Sequence, residues 1–199
     1  METTERIVEA YVRYVKRWAT IPNIKCDGQF EIDLLAIDPS GLDRYHIESG
    51  VSVSASYRAL TAKPYDPGDL KIRVKIAGTR RTLGYFIERK FGSPSVIARL
   101  ADYGFKPGNY SKIIVTWGWT KEAAQIANSK NIILWDFRDL MEGIAQEFKD
   151  RRSYFTDDTL RTLHLYAHAM AVRRLAKGGK LSQGEQVKAW RNGPRTKRT

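Results

Sequence analysis

Two carboxylates in neighbouring predicted strands are the residues of this sequence best placed to do chemistry. Asp33 lies inside the apolar run FEIDLLAID, and Glu48 lies in RYHIESGVSVS, which follows a PSGLD turn. An ionised carboxylate inside an apolar strand is costly to bury unless it is paired or holds a cation. If the two strands pair as a hairpin, Asp33 and Glu48 come within reach of one ion. The sequence therefore predicts a charged site between these strands.

A first helix carries two further acids. Apolar residues at helical spacing predict this helix from Thr3 or Thr4 to Ala19, with Glu5 and Glu9 one turn apart beside its apolar face. Acids in a first turn are also favoured by the helix dipole alone, so both can be ordinary solvated residues. The functional alternative is that one of them points at the carboxylates of the hairpin.

Three antiparallel strands are predicted after the first helix. The sequence IKCDGQFEID predicts a hairpin with a DG turn, and the strand with Asp33 then pairs with a strand that runs to Ser54. The stretch at about 57–81 is rich in turn formers, apart from a predicted strand at Lys71–Ile76. We therefore interpret this stretch as an insertion.

The sequence of the second half of the core predicts a βαβ unit. Helical spacing covers 82–91 and 95–103, and the strands SKIIVTWG and NIILWDF flank the helix KEAAQIANSK. A strand, a helix and a strand of these lengths favour a parallel pair, and another helix follows at 139–148. A hairpin joined to a parallel pair predicts an α/β (mixed α+β) fold with a mixed sheet.

Positive charge is concentrated at the C-terminal end of the chain. Residues 151–199 hold twelve Lys/Arg and three acidic residues, so nine of the twelve net positive charges lie there. We expect a core at 1–150, a C-terminal helix within 151–176 and a basic, flexible tail at 177–199. Clustered basic charge is typical of proteins that bind a polyanion. Nucleic acid is the expected partner, and a membrane surface or simple solubility are the alternatives.

The residues expected to contact nucleic acid are the basic and aromatic side chains of this end. They are Arg173, Arg174, Lys177, Lys180, Lys188, Trp190, Arg191, Arg195, Lys197 and Arg198. Contacts of this kind supply affinity without reading the base sequence.

Length and composition fit one domain with its own core. The chain has 199 residues, 42% of them hydrophobic, and its lone Cys26 excludes an internal disulfide framework and fits a reducing compartment. It has no apolar run near 18 residues, and METTERIVEA lacks a signal-peptide pattern. We therefore expect a cytoplasmic protein with no membrane partner, and a homodimer stays open as an assembly state.

The order of these elements resembles the PD-(D/E)xK nuclease superfamily, which has the restriction-endonuclease-like fold. TTERIVEA and EIDLLAID are similar to the front of archaeal Holliday junction resolvases, and TWGWTKEAAQIANSKNIILWDFRDL is similar to the closing unit of Mrr-type restriction enzymes. The resemblance covers about residues 4–145. It implies a three-layer core, with a mixed sheet between helices, and phosphodiester hydrolysis that depends on Mg²⁺ or Mn²⁺.

The resemblance assigns roles to the acids. It implies that Asp33 is the central metal-binding carboxylate, that Glu48 opens the ExK triplet, and that Glu5, or else Glu9, is the acid on the helix. Hard oxygen ligands hold Mg²⁺, which activates a water and neutralises charge that develops on the phosphate. The resemblance breaks at Gly50, which stands where the family has a lysine that polarises or positions the water.

Lys90 in FIERKF is the best substitute for that lysine, because its predicted helix is expected to pack near the end of the sheet. The alternative is an ordinary solvated lysine, since lysine is rarely buried. Glu88, Arg89 and Lys90 also spell an ExK triplet. The spacing of RTLGYFIERKF is helical, however, and no alternating strand leads into the triplet.

Two functions follow from these patterns. The first is a metal-dependent nuclease that acts on DNA, with Asp33 and Glu48 as metal ligands. The second is a catalytically inactive nucleic-acid-binding protein on the same fold, which Gly50 favours. A scaffold or assembly factor with a basic tail is a third class, and no specific residue supports it.

Overall fold

Five strands form one sheet in the computed structural model, which describes residues 2–73, 75–149, 151 and 154–178, without the side chains of 171–178. The strands are β1 (Ala19–Cys26), β2 (Phe30–Ile37), β3 (Arg44–Gly50), β4 (Ser111–Thr116) and β5 (Ile132–Asp136). Their spatial order follows their order in the chain.

The sheet is mixed. β1, β2 and β3 pair antiparallel, whereas β4 lies parallel to β3 and β5 lies parallel to β4. The short connections between the first three strands require antiparallel pairing, and the helical crossover from β4 to β5 permits a parallel pair. The predicted α/β fold with a mixed sheet is confirmed, and the strands that carry Asp33 and Glu48 are neighbours in it.

The described helices alternate with the strands in the second half of the chain. They are α1 (Thr3–Ala10), α2 (Ile76–Thr79), α3 (Leu83–Tyr85), α4 (Pro94–Asp102), α5 (Lys121–Ser129), α6 (Phe137–Phe148) and α7 (Asp158–Gly178). A π-helical turn extends α1 at Tyr11–Val15, and another extends α3 at Phe86–Phe91. Two short 3-10 turns lie at Asp27–Gln29 and Pro67–Lys71.

Helices cover both faces of the sheet. Ile114 of β4 lies in a buried cluster with Phe86, and Leu134 of β5 packs against the same cluster. Trp135 points to the opposite face, because side chains alternate along a strand. Its ring contacts Tyr11 of the first helix, with 5.6 Å between the ring centroids. The result is a three-layer core of helices, sheet and helices.

The first helix is shorter than predicted. Its π-helical end stops at Val15, four residues before the predicted end at Ala19. Arg17 has a φ of 62°, which breaks the helix, and Ala19 already pairs with Ile37 in the β1–β2 ladder. β1 therefore begins before the predicted hairpin strand.

Two strand predictions are wrong. One strand ends earlier than predicted, and the other does not form. β3 ends at Gly50 and does not reach Ser54. The described residues of Lys71–Ile76 form no strand, because their backbone bonds are turn bonds: the N–H of Ile72 donates to the carbonyl of Asp69 at 3.2 Å. The turn chemistry of KPYDPGDL continues through this stretch and overrides its alternating pattern.

The chain divides into two compact units at Gly143, and all five strands belong to the first unit. In the second unit, α7 spans the predicted C-terminal helix and buries Leu163 and Ala167. No helix within the described residues is long and apolar enough to cross a membrane.

The start of the helix that carries Lys90 gives a test of the fold. A Cβ at Gly84 would lie 2.6 Å from the carbonyl carbon of Pro64 and closer still to the backbone nitrogen of Tyr65. We expect Gly84→Ala to lower the free energy of unfolding by about 1–3 kcal/mol, because the backbone of 64–65 must shift. Urea unfolding measures the difference.

Gly118→Ala is the matched control for this variant. No atom lies within 4 Å of a Cβ placed at Gly118, so its effect should stay within about 0.5 kcal/mol. Equal stability of the Gly84 and Gly118 variants would contradict the close approach of helix and loop.

Candidate functional site

The candidate site lies where β2 and β3 separate. Their ladder ends with the pair Leu34 and Ile47, and the same register places Asp33 opposite Glu48. From this point side chains replace the backbone ladder. The N–H of Ser49 donates to Oδ2 of Asp33 at 2.7 Å, and the N–H of Asp33 donates to Oε1 of Glu48 at 3.4 Å. The two carboxylates therefore fill the fork between the strands.

Lys90 reaches both of these carboxylates. Its Nζ lies 2.8 Å from Oδ1 of Asp33 and 2.5 Å from Oε2 of Glu48, and it also donates to the carbonyl of Glu31 at 3.3 Å. The lysine belongs to the π-helical turn Phe86–Phe91, a type of turn that is frequent at functional sites. The structure thus brings together the three residues on which the predicted site depends.

Phe86 leaves no room for a side chain at Gly50. A Cβ at Gly50 would lie 2.6 Å from Cζ of Phe86, whose side chain is 1% exposed. A lysine at position 50 would have to push this ring out of the core. Lys90 lies one helical turn after Phe86, so the helix that blocks a side chain at position 50 also supplies an ammonium group.

His46 supports Glu48 from inside the sheet, and the sequence analysis did not assign it a role. Its Nε2 lies 2.7 Å from Oε1 of Glu48, and both side chains are fully buried. Burial lowers the pKa of His46 to about 3, so the ring is neutral and Nε2–H donates to the carboxylate. The available signal was the spacing of His46 and Glu48, which puts both on one face of a strand.

Burial dominates the ionisation of the site. Burial first, and then the charge of Glu48, raise the pKa of Asp33 to about 6. Burial also raises the pKa of Glu48. For Lys90, burial lowers the pKa, but the charges of Glu48 and Asp33 outweigh burial and raise it above its ordinary value. The ammonium therefore stays charged, and the two carboxylates resist full ionisation.

The two acids of the first helix differ in their relation to this cluster. Oε2 of Glu5 accepts a bond from the N–H of Glu2 at 2.9 Å, and burial followed by the charge of Asp33 raises the pKa of Glu5. Oε1 of Glu9 instead accepts from the hydroxyl of Thr20 at 3.2 Å. The charge of Asp33 therefore affects the ionisation of Glu5, whereas the carboxylate of Glu9 is hydrogen-bonded to Thr20 of β1.

The competing triplet Glu88–Arg89–Lys90 lies on a helical turn and on no strand. Glu88 is exposed, and the guanidinium of Arg89 stacks 3.9 Å from the ring centroid of Phe30. Only the lysine of this triplet reaches the carboxylate pair.

The predicted nucleic-acid contacts of the C-terminal end lie outside the residues whose side chains are described. They are Arg173, Arg174, Lys177, Lys180, Lys188, Trp190, Arg191, Arg195, Lys197 and Arg198.

Asp33 and Glu48 are the residues of this site that could hold a divalent cation. Oδ1 of Asp33 and Oε2 of Glu48 converge on one point, where the ammonium group of Lys90 lies against both oxygens. The described residues contain no group of three or more His, Cys, Asp or Glu placed to hold a metal. Two carboxylates are nevertheless a usual protein contribution to a Mg²⁺ site, where water and substrate phosphate complete the shell.

No known protein family, no curated protein and no solved structure matches this chain. The class of the protein is therefore inferred from its own site residues and from the order of its elements.

The raised pKa of Asp33 predicts how stability depends on pH. This pKa is about 6 in the fold against an ordinary 3.8, so the folded state binds more protons between these values and stability falls as the pH rises through them. Asp33→Asn removes that loss. At pH 8 we expect the variant to be more stable than wild type by about 1–3 kcal/mol, and at pH 4 the difference should vanish.

Urea unfolding at several pH values measures this difference. Asp43→Asn, which changes an exposed aspartate, should keep the pH dependence of the wild type. A variant at Asp33 that is less stable than wild type at pH 8 would mean that the ion pair with Lys90 outweighs the cost of burial.

The clash at Gly50 predicts a coupling with Phe86. Gly50→Ala should lower the free energy of unfolding by about 1–3 kcal/mol, because the new methyl group overlaps the ring. In a Phe86→Leu background the ring is absent, and the same substitution should cost clearly less. A double-mutant cycle in urea gives this coupling, and strictly additive effects would refute the explanation.

Proposed function

We propose that the protein is a metal-dependent nuclease that hydrolyses phosphodiester bonds in DNA. The observation that carries this proposal is the convergence of two buried carboxylates and one ammonium group, from Asp33, Glu48 and Lys90. This set agrees with the resemblance of the sequence to PD-(D/E)xK nucleases, with the lysine on a helix in place of position 50. The net charge of +12 favours a polyanionic substrate.

The protein residues around the carboxylates would orient them for a metal. Asp33 and Glu48 would hold Mg²⁺ or Mn²⁺ through Oδ1 and Oε2, and the bound ion would activate a water and offset charge on the phosphate. The N–H of Ser49 fixes the other oxygen of Asp33. His46 fixes the other oxygen of Glu48 and, as a neutral ring, adds no charge that competes with the cation.

Lys90 would act as a permanent positive charge. Because the carboxylates raise its pKa, its ammonium group does not release a proton at neutral pH and is unsuited to the role of a general base. The ammonium and a metal ion compete for the same two oxygens. With a cation held by Asp33 and Glu48, Lys90 would lie at the edge of the site and would stabilise negative charge on the phosphate.

The second candidate is a nucleic-acid-binding protein without catalysis. Its support is that Lys90 already neutralises the oxygens of Asp33 and Glu48, so the cluster is complete as an ion pair. The two candidates differ in whether a divalent cation displaces the ammonium.

Cleavage of labelled DNA with Mg²⁺ or Mn²⁺ tests the proposal. We expect wild type to cut, and Asp33→Asn and Lys90→Met to lose on the order of 10²–10³-fold in rate, as is usual when a group that stabilises transition-state charge is removed. Lys130→Met, which removes an exposed lysine from the end of α5, is the matched control and should cut like wild type.

Metal binding gives a readout that does not need catalysis. A cation that binds only the folded state raises the unfolding temperature, and Asp33→Asn should abolish this rise. DNA binding without cleavage, together with no stabilisation by either metal at millimolar concentration, would refute the nuclease and support the inactive binding protein.

A further inference from the structure

A cavity of about 450 Å³ lies in the first unit apart from the carboxylate pair. Its walls come from the segments 56–64 and 75–82 together with Asp69, and Asp33, Glu48 and Lys90 are not among its lining residues. A volume of this order is typical of sites for small ligands. The cavity thus lies in the stretch that the sequence analysis interpreted as an insertion.

Positive charge dominates the walls of this cavity. Lys63, Lys75 and Arg81 line it, and Asp69 is the one acid among its lining residues. Asp69 is already paired, since its Oδ1 lies 2.7 Å from Nζ of Lys75. Lys63 and Arg81 therefore present two charges that no lining acid neutralises. The hydroxyl groups of Ser56, Tyr57 and Thr61 add possible hydrogen-bond donors, whereas those of Thr79 and Thr82 already donate to backbone carbonyls.

Arg81 is the most constrained of these cations. Its Nη2 donates to the carbonyl of Val51 at 3.0 Å and its Nη1 to the carbonyl of Arg80 at 3.3 Å. Nε is buried without an acceptor, and no carboxylate pairs with this guanidinium in the part of the chain that the structure describes. Burial lowers the pKa of Arg81, and the neighbouring charge of Arg80 lowers it further. A partly buried cation without a counter-ion is costly, and a bound anion would relieve that cost.

A second buried polar atom lies in the same walls. Oγ1 of Thr61 has no hydrogen-bond partner among the described residues, although buried hydroxyl groups are normally bonded. Thr61 and Arg81 are also neighbours through the backbone, because the N–H of Thr61 donates to the carbonyl of Arg81 at 3.0 Å. Two unsatisfied polar groups therefore border one cavity.

A hydrogen bond connects the cavity wall to the end of the strand that carries Glu48. Arg81 binds the carbonyl of Val51, the residue directly after the end of β3 at Gly50. A group bound beside Arg81 would thus lie close to the carboxyl end of that strand.

We propose that this cavity binds a phosphate group of the nucleic acid, with Arg81 as its counter-charge and Lys63 at its exposed rim. The volume leaves room for the nucleotide that carries the phosphate. That the phosphate belongs to nucleic acid rests on the proposed function, whereas the anion site itself rests on Arg81 and the cavity.

Titration of the full chain with inorganic phosphate, followed by amide NMR spectra, tests the anion site. We expect phosphate to shift resonances of 56–63 and 78–82, and Arg81→Gln to weaken this binding at least tenfold. Arg80→Gln is the matched control, because it removes the same charge from an exposed neighbour that does not line the cavity. Lys63→Gln, a substitution of an exposed side chain, should weaken binding severalfold and keeps the test valid if the Arg81 variant unfolds.

Three results would overturn the anion site: no shifts in these segments at tens of millimolar phosphate, shifts elsewhere only, or equal losses in Arg80→Gln and Arg81→Gln. A short DNA duplex should shift the same resonances and compete with phosphate. A nucleoside monophosphate that binds there while DNA does not would overturn the nucleic-acid source.

The two proposals fail in different ways. Asp33→Asn should keep phosphate binding in the cavity while it loses cleavage. Cavity binding by a protein that never cuts DNA would refute the nuclease and leave this site in place. Cleavage and DNA affinity that are unchanged in Arg81→Gln would refute nucleic acid as the source of the phosphate and leave the nuclease.

Discussion

Two carboxyl groups share one buried fork in this protein, and a single ammonium group contacts both of them. Burial of Asp33 and Glu48 disfavours their ionised forms, and Lys90 offsets that cost only because its Nζ reaches both carboxylates. One negative charge remains in excess when both acids ionise. The fork therefore favours further positive charge, in agreement with the raised pKa values of both acids.

The rest of the core maintains this arrangement. β2 and β3 hold the carboxylates at adjacent positions, and the helix after α3 holds the ammonium above them. The neutral ring of His46 fills the space behind Glu48 and packs edge-on against Phe91, with 4.8 Å between the ring centroids. Because interiors are closely packed, a shift of this helix would move Lys90 relative to both acids.

The sequence predicted what depends on local pattern and missed what depends on packing between distant segments. Alternation and the turns on either side of Asp33 predicted the hairpin strands and the mixed sheet. Arg17, whose positive φ ends the first helix, gave no local warning. Lys90 lies 57 residues from Asp33 in the chain, and Phe86 lies 36 residues from Gly50. Lys90 could be named from the expected packing of its helix, but neither its distance from the acids nor the obstruction of position 50 could be read from spacing. The neutral state of His46 depends on complete burial, which a single strand pattern does not reveal.

Because Lys90 lies on a helix, its ammonium group can move relative to the carboxylates. A lysine on the strand would share the rigid frame of the carboxylates, with its distance from them set by the pleat. Lys90 is instead joined to the carboxylates only through the contact between two layers, so the cation and the acids can separate without any break in the sheet. A sequence motif defined along one strand finds a site whose lysine lies on that strand. It overlooks a site whose lysine lies on a helix, although both arrangements place the same charges around one point.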